Sequence, residues 1–153
     1  MDDVWSLAFD TLKVAAGGVA GWLLHIGKEY LYRKDLRYAM YRELVNNYTS
    51  VRYNSDPSKC DFGWLRKNLV HELTFHAYKK AGGNPEAFYR IPEHGWIERC
   101  FKEMEKCTTL PPDDNELIEQ LTRACGTIEG IATPADAEMF RSMLPKQYAA
   151  HIK

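Results

Sequence analysis

A strong net charge is the first thing this sequence lacks, because its 20 basic residues nearly cancel its 21 acidic residues. Nucleic-acid backbones are usually bound by clearly basic surfaces, so the balance gives no strong nucleic-acid signal. The four cysteines lie far apart, without the Cys-x-x-Cys spacing of redox and zinc motifs. A chain of 153 residues is too large to depend on disulfides, so these cysteines favour a reducing compartment.

Catalytic motifs are also missing: there is no Gly-rich phosphate loop, nucleophile elbow or carboxylate pair. The segment from His71 to His76 is superficially similar to the zinc-protease pattern His-Glu-x-x-His, but it has one residue too many. With about 3.6 residues per helical turn, its two histidines diverge by about 140°. Glu72 and His76 share a face, which predicts an ion pair or hydrogen bond, whereas catalysis would also need a pocket. We therefore predict no enzyme, no metal and no cofactor.

Strand-like alternation and internal repeats are absent as well, which predicts an all-α fold. Apolar spacing, caps and prolines predict helices over residues 62–80, 84–89 and 93–107. Asp113 or Asp114 is expected to cap a further helix, and Thr133 a last one that ends near Leu144. We expect these helices to form a small antiparallel bundle, packed against the lower part of a long N-terminal helix.

The sequence does predict a long first helix, which changes near Gly27 from an apolar stretch to a basic, tyrosine-rich stretch. Residues 4–26 are mostly apolar, and residues 14–26 include no Asp, Glu, Lys or Arg. A helix over residues 4–26 is about 34 Å long, enough for a hydrocarbon core of ~30 Å. We predict a transmembrane helix over residues 1–27, a basic and tyrosine-rich helical extension over 28–54, and a helical cytoplasmic domain over 55–153.

Two charged residues, Asp10 and Lys13, oppose a simple span, because a charge near the bilayer centre costs about 2.5 to 3.5 kcal/mol. They are three residues apart and can pair on one face of the helix. Gly17 and Gly21 lie along the same face, and their spacing lets two helix backbones approach closely in lipid. We predict a helix–helix contact in the membrane through these four residues, and with it a route to a homo-oligomer.

The flanks of the apolar stretch set its predicted orientation. Residues 1–3 are acidic, and a basic cluster follows the apolar stretch at the expected membrane border: Lys28, Arg33, Lys34, Arg37 and Arg42. Because positive charge stays on the cytoplasmic side, we expect the N-terminus outside the inner membrane and the C-terminal domain in the cytoplasm. Two alternatives remain open: an interfacial helix, and a soluble all-α binding domain that buries helix 1 and recognises a protein or nucleic acid.

A family resemblance also favours a membrane span at the N-terminus. The apolar stretch, the basic stretch and the segment DLRYAMYRELVNNY at residues 35–48 resemble the opening of uncharacterised bacterial proteins with one N-terminal membrane span and a small helical cytoplasmic domain. The resemblance covers about a third of the chain and contains no catalytic motif. With the apolar stretch and the basic flank, it favours a single-span, membrane-anchored interaction or assembly module that contacts lipid and an unidentified protein partner.

Overall fold

The computed structural model describes residues 2–131 and 133–152, with side chains for residues 13–131, 133 and 135–152. This part of the chain forms helices and no strands, which confirms the all-α prediction. The helices are α1 (Asp2–Asn54), α2 (Phe62–Glu72), α3 (His76–Gly82), α4 (Pro85–Tyr89), α5 (His94–Lys106), α6 (Asp114–Glu129), α7 (Pro134–Met143) and α8 (Lys146–Ala149).

The long first helix is confirmed, since α1 continues without interruption to Asn54. No glycine or proline interrupts residues 28–54, so nothing local stops the helix there. The chain nevertheless divides into two compact units within α1, Met1–Asp35 and Leu36–Lys153. We call residues 13–35 the arm and residues 36–152 the domain, and describe each by itself.

The membrane span predicted for residues 1–27 is not supported. From Lys13 onward, where side chains are described, no helix is both long enough and apolar enough to cross a membrane. The uncharged stretch 14–26 reaches only about 20 Å at about 1.5 Å per residue, which is short of a ~30 Å hydrocarbon core. Lys13 precedes this stretch, and Lys28 and Glu29 follow it closely.

The core of the domain is built around the second half of α1. Seven apolar or aromatic residues of this segment are buried: Leu36, Met40, Tyr41, Leu44, Val45, Tyr48 and Val51. They recur every three or four residues, so one helical face enters the core. Phe140 of α7 packs against Tyr41, Tyr48 and Trp96, with ring centroids 6.1 to 6.2 Å apart.

Residues 62–80 do not form one helix, as the apolar spacing predicted, because the chain leaves the helical conformation at residues 73–75. A side chain of α1 stabilises this break. The amide of Asn47 donates to the carbonyl oxygen of Thr74 at 2.8 Å and accepts from its backbone N–H at 2.9 Å. Asn47 is fully buried, so the pair satisfies polar groups that would otherwise be costly to bury.

A second residue of α1, Glu43, holds the start of α3. Its buried carboxylate accepts hydrogen bonds from the backbone N–H groups of His76, Ala77 and Tyr78, at 2.6 to 3.2 Å. The first N–H groups of a helix lack intrahelical partners and carry partial positive charge, so a carboxylate satisfies and stabilises them. The local N-cap, Phe75, makes no side-chain hydrogen bond of this kind.

Other helix starts follow local rules and agree with prediction. The side chains of Asn84, Asp113 and Thr133 cap α4, α6 and α7, each accepting from the backbone N–H three residues later. Asp113 rather than Asp114 is thus the N-cap of α6. The short helix α8 was not predicted; it follows Pro145, and Ile152 after it is buried.

Candidate functional site

The arm exposes large apolar side chains on every side of the helix. Trp22, Leu23 and Leu24 are consecutive and are 63%, 56% and 65% exposed. Consecutive residues point about 100° apart on a helix, so these three span about 200°, and Val14 lies on the remaining side. Other exposed apolar side chains of the arm are Val14, Val19, Ile26, Tyr30 and Leu31. A single packed neighbour would contact only one face of this apolar surface.

The predicted helix–helix contact lies in the same segment, apart from Asp10, whose side chain is outside the described residues. Lys13 is exposed. A Cβ atom added at Gly17 or Gly21 would meet nothing within 4 Å, so this face of the arm is open. The described chain therefore leaves room for a close helix contact there, and the contact itself stays a prediction.

The predicted basic cluster is divided between the two units. Lys28 and Lys34 are exposed in the arm and Arg33 is half-buried there, whereas Arg37 and Arg42 belong to the domain. Arg42 is exposed beside a cavity of about 440 Å³ lined by α1 and α7. Arg37 is engaged by carboxylates of the domain, so its charge is compensated inside the protein.

Arg37 joins three helices of the domain. Its guanidinium donates to Asp136 at 2.6 Å and to the carboxylate of Glu93. Glu93 is the N-cap residue of α5 and Asp136 lies in the first turn of α7, and both carboxylates are buried. The guanidinium carbon also lies 5.6 Å from the ring centroid of Tyr41. The cluster stabilises the way α1, α5 and α7 meet.

The hydroxyl of Tyr41 lies buried next to this ion cluster. Within the described part of the domain, neither this hydroxyl nor Oε2 of Glu93 has a hydrogen-bond partner. Burial raises the pKa of Tyr41, and the nearby carboxylates of Glu93 and Asp136 raise it further. Burial by itself lowers the pKa of Arg37, but the bond to Glu93 outweighs this and the pKa of Arg37 is raised. Tyr41 and Arg37 thus keep their protons, which suits a structural cluster.

The structure separates the residues of the zinc-protease-like segment. His71 is in the last turn of α2, whereas His76 is the first residue of α3. Glu72 accepts a hydrogen bond from the hydroxyl of Ser50, so the expected Glu72–His76 pair is not formed. Among the side chains that the structure describes, no group of three or more His, Cys, Asp or Glu is arranged to hold a metal ion.

The cysteines lie in the domain as free thiols, with Cys100, Cys107 and Cys125 buried and Cys60 half-buried. Burial raises the pKa of Cys107 and of Cys125 to about 12. Because the thiolate is the reactive form, these buried thiols are poor nucleophiles and behave as small apolar residues.

A cleft lies at the C-terminal end of α1, beside the α1–α2 loop and α8. It has two adjoining compartments, of about 690 and 490 Å³. We call the larger one the basic compartment, because Arg52, Lys59 and His151 line it together with Asp56. We call the smaller one the aromatic compartment, because Tyr53, Trp64 and Tyr148 line it. Both volumes are in the ~300–1,000 Å³ range of ligand sites.

Hydrogen bonds and ion pairs arrange the charged groups of the basic compartment. Arg52 lies 3.1 Å from Nδ1 of His151 and 3.7 Å from Glu129, which also accepts from the hydroxyl of Tyr48 at 2.8 Å. On the loop, hydrogen bonds from Ser58 and Lys59 hold the pKa of Asp56 at about 2. Asp56 is therefore ionised at neutral pH and pairs with Lys59 at 3.0 Å.

Sequence reasoning did not find this cleft. Its residues come from the end of α1, from the polar loop that follows it, from α2, and from the unpredicted helix α8 and the residues after it. The loop, residues 55–61, is mostly Ser, Asp, Pro and Lys, which are ordinary in loops. Tyr53 and Trp64 lie on either side of that loop in the sequence. Such a pair of aromatic residues could have indicated a binding site, but the pattern is weakly specific.

Comparisons of the chain with protein-family models, with curated proteins and with solved structures find no match.

Proposed function

We propose that the chain is a non-enzymatic interaction or assembly module attached to a membrane by the arm. The carrying observation is that the apolar side chains of the arm are exposed on all sides. Removing apolar surface from water is favourable by about 25 cal/mol per Å². Lipid acyl chains can contact apolar side chains that point in several directions, whereas a single partner helix contacts one face, so lipid is the contact that we propose for the arm, without a crossing of the bilayer.

The charges along α1 support an orientation for this attachment. Lys28 and Lys34 are exposed after the apolar stretch and are available to anionic headgroups on the cytoplasmic side of the inner membrane. The domain, with its free cysteines, would then lie in the reducing cytoplasm and present its surface to protein partners. The open face at Gly17 and Gly21 leaves a contact between copies of the arm as the route to a homo-oligomer.

Fractionation of the full-length chain after bacterial expression tests the attachment. We expect the protein to sediment with membranes, to remain there after a high-salt wash and to be released by detergent. The double variant Val19→Asp, Leu23→Asp should move to the supernatant, because each charge in a bilayer costs about 2.5 to 3.5 kcal/mol. The matched control, Tyr38→Asp with Val70→Asp, places the same charges on exposed apolar positions of the domain and should stay with membranes.

Two results would contradict the proposal. One is recovery of the unaltered chain in the supernatant without detergent. The other is equal release of both double variants, because charge in general rather than the arm would then decide the location.

A second candidate function, a soluble all-α binding domain with helix 1 in its core, is favoured by a different observation. The second half of α1 is buried among the other helices of the domain. Under this alternative, a protein partner covers the arm, and the complex stays in solution. Recovery of the chain in a soluble complex of larger mass, without lipid, is the outcome that would favour it.

A further inference from the structure

A groove between α1 and α7 contains a cation that the domain does not compensate. The groove is the cavity of about 440 Å³ beside Arg42, and none of the described residues that line it is Asp or Glu. Arg42 is exposed, and within the described part of the chain it makes no hydrogen bond or ion pair. Glu138 of α7 is next to the lining residue Met139 in sequence, but it does not line the groove. The groove therefore carries one uncompensated positive charge.

The cleft at the end of α1 differs in this respect. Arg52 lies 3.7 Å from Glu129, and Lys59 pairs with Asp56 at 3.0 Å, so carboxylates of the domain compensate both of these cations. The groove at Arg42 has no such carboxylate among its described lining residues, and it can therefore select a ligand by charge.

The other side chains of the groove are largely apolar. The ring of Tyr38 is 55% exposed, and Met139 and Met143 of α7 are half-buried. These methionines are four residues apart, so they lie on one face of α7. Methionine is flexible and polarisable, and it is frequent at binding surfaces that adapt to a partner. Tyr, Met and Arg are also enriched in protein interfaces, whereas Asp, Glu and Lys are depleted there. The lining of the groove thus has the composition of a protein-binding surface.

The form of the groove favours a helical ligand. On α1 the lining positions are 38, 42, 45 and 46, which lie on one face of the helix over about 12 Å. On α7 they are 139, 142 and 143. The apolar face of an amphipathic helix packs into a groove of this kind. A peptide that binds as a strand needs the edge of a sheet, and the described residues form no sheet.

A helix that covers the groove must also provide a partner for Arg42. Burying an arginine without an opposite charge is strongly unfavourable. A carboxylate is the best partner, because its two oxygens can accept from two N–H groups of the planar guanidinium. The bound helix therefore needs an Asp or Glu beside its apolar face.

We infer that the groove binds an amphipathic helix of a protein partner, whose apolar face packs on Tyr38, Met139 and Met143 and whose Asp or Glu pairs with Arg42. The inference rests on the proposed role as an interaction module and names the chemistry of the partner. It does not depend on membrane attachment, because each lining residue belongs to the domain.

The test uses the full-length, ¹⁵N-labelled chain without detergent, because micelles would take up an amphipathic peptide. If the arm attaches the chain to membranes, the released variant Val19→Asp, Leu23→Asp is used, which changes no residue of the groove. If the arm does not attach it, the unaltered chain is itself in solution. A failure of membrane attachment is therefore distinguished from a failure of peptide binding.

The probe is the capped peptide acetyl-Gln-Ala-Leu-Glu-Gln-Leu-Leu-Ala-Gln-Leu-Ala-Gln-amide. It places four leucines on one helical face and its one charge, the glutamate, at the edge of that face. Heteronuclear NMR with up to about 1 mM peptide detects weak binding. We expect shifts at the amides of residues 38–46 and 139–143. Gln in place of the glutamate should weaken binding about tenfold, because the pair with Arg42 is lost.

Protein variants test the named contacts. Arg42→Gln should remove the preference for the Glu peptide, and Tyr38→Ala should weaken binding about tenfold. The matched controls are Arg123→Gln and Tyr89→Ala, which alter an exposed arginine and an exposed tyrosine outside the groove and should leave binding unchanged. If Arg42→Gln fails to fold, the comparison of the Glu and Gln peptides still decides the question.

Three outcomes would overturn the inference: no shifts in the groove at the highest peptide concentration, equal binding of the Glu and Gln peptides, or shifts that map to the arm instead. Stronger binding of dihexanoyl-phosphatidylglycerol than of the Glu peptide would also overturn it, because the groove would then be a site for anionic lipid.

Discussion

In the arm, Leu24 of α1 is 65% exposed, whereas Leu44 of the same helix is fully buried in the domain. Both residues belong to one continuous helix and have the same intrinsic helix propensity. Their different surroundings show that helix formation along α1 is a local property, while burial depends on which helices pack against it. Residues 14–31 of α1 include many exposed apolar side chains, and the segment from Leu36 to Val51 is the centre of the domain.

The polar residues of the two halves differ in the same way. In the domain, Arg37, Glu43 and Asn47 each contact distant parts of the chain through hydrogen bonds. In the arm, Lys28 and Lys34 are exposed. Polar side chains of one helix therefore hold the fold together in the domain, whereas these two lysines of the arm are exposed.

Amide hydrogen exchange should give the largest contrast between the two halves of α1. Without lipid, residues 15–26 should exchange like an isolated helix, whereas residues 40–51 should open only with the whole domain. We expect a difference in protection of at least about a thousandfold, because global unfolding costs about 5–15 kcal/mol. Phospholipid vesicles should raise protection in the arm alone. Equal protection of both halves without lipid would contradict the difference in packing between the arm and the domain.

Truncating a leucine should lower the free energy of unfolding by several kcal/mol more in the domain than in the arm. Leu44→Ala removes a fully buried side chain and should lower the free energy of unfolding by about 4 kcal/mol. Leu24→Ala removes the same atoms from an exposed site and should change it by less than about 0.5 kcal/mol. Urea unfolding of both variants in one buffer, followed by circular dichroism, measures the difference. Similar losses would mean that the arm is packed against protein.

Removing an arginine should lower the free energy of unfolding only where the arginine is paired with buried carboxylates. Arg37→Met leaves the buried carboxylates of Glu93 and Asp136 without their cation. We expect a loss of about 3 kcal/mol, near the low end for breaking a buried pair, because the side chain of Arg37 is 37% exposed. Arg42→Met makes the same substitution at an exposed site and is the control. Equal effects of both substitutions in urea unfolding would show that the ion cluster does not stabilise the domain.

Neighbouring asparagines provide the smallest and most local contrast. Asn47→Ala leaves the N–H and carbonyl of Thr74 without their partners and should cost about 2 kcal/mol. The matched change Asn46→Ala, one position earlier and exposed, should be close to neutral. Thermal unfolding of the two variants measures this difference. If Asn47→Ala were as stable as Asn46→Ala, the break between α2 and α3 would have another cause.

The parts of the fold that follow local rules were predictable. The helix starts after Asn84, Asp113 and Thr133 depend on a side chain that reaches a backbone N–H three residues away. The continuity of α1 depends on the absence of glycine and proline over residues 28–54. Interactions of this range are visible in a single sequence, because they involve neighbours within one helical turn.

The predictions that depended on distant contacts were less accurate. Apolar spacing over residues 62–80 is compatible with one helix, but Asn47 binds the backbone of Thr74 across 27 positions and stabilises a break. The cleft was missed for the same reason, since its walls come from segments that are far apart in sequence. The predicted span counted residues 4–26, whereas the uncharged stretch that the sequence itself shows, residues 14–26, covers only about 20 Å.

The sequence by itself determined that this protein is helical, where α4 and α7 begin, where α6 begins to within one residue, and that α1 has an apolar first part and a basic second part. Only the tertiary structure decided which part of α1 is buried, that the chain turns at residues 73–75, and that Arg37 binds Asp136 across 99 positions. The physical reason is range: capping and helix continuity act within one or two turns, whereas burial and ion pairing depend on which surfaces meet when the chain folds.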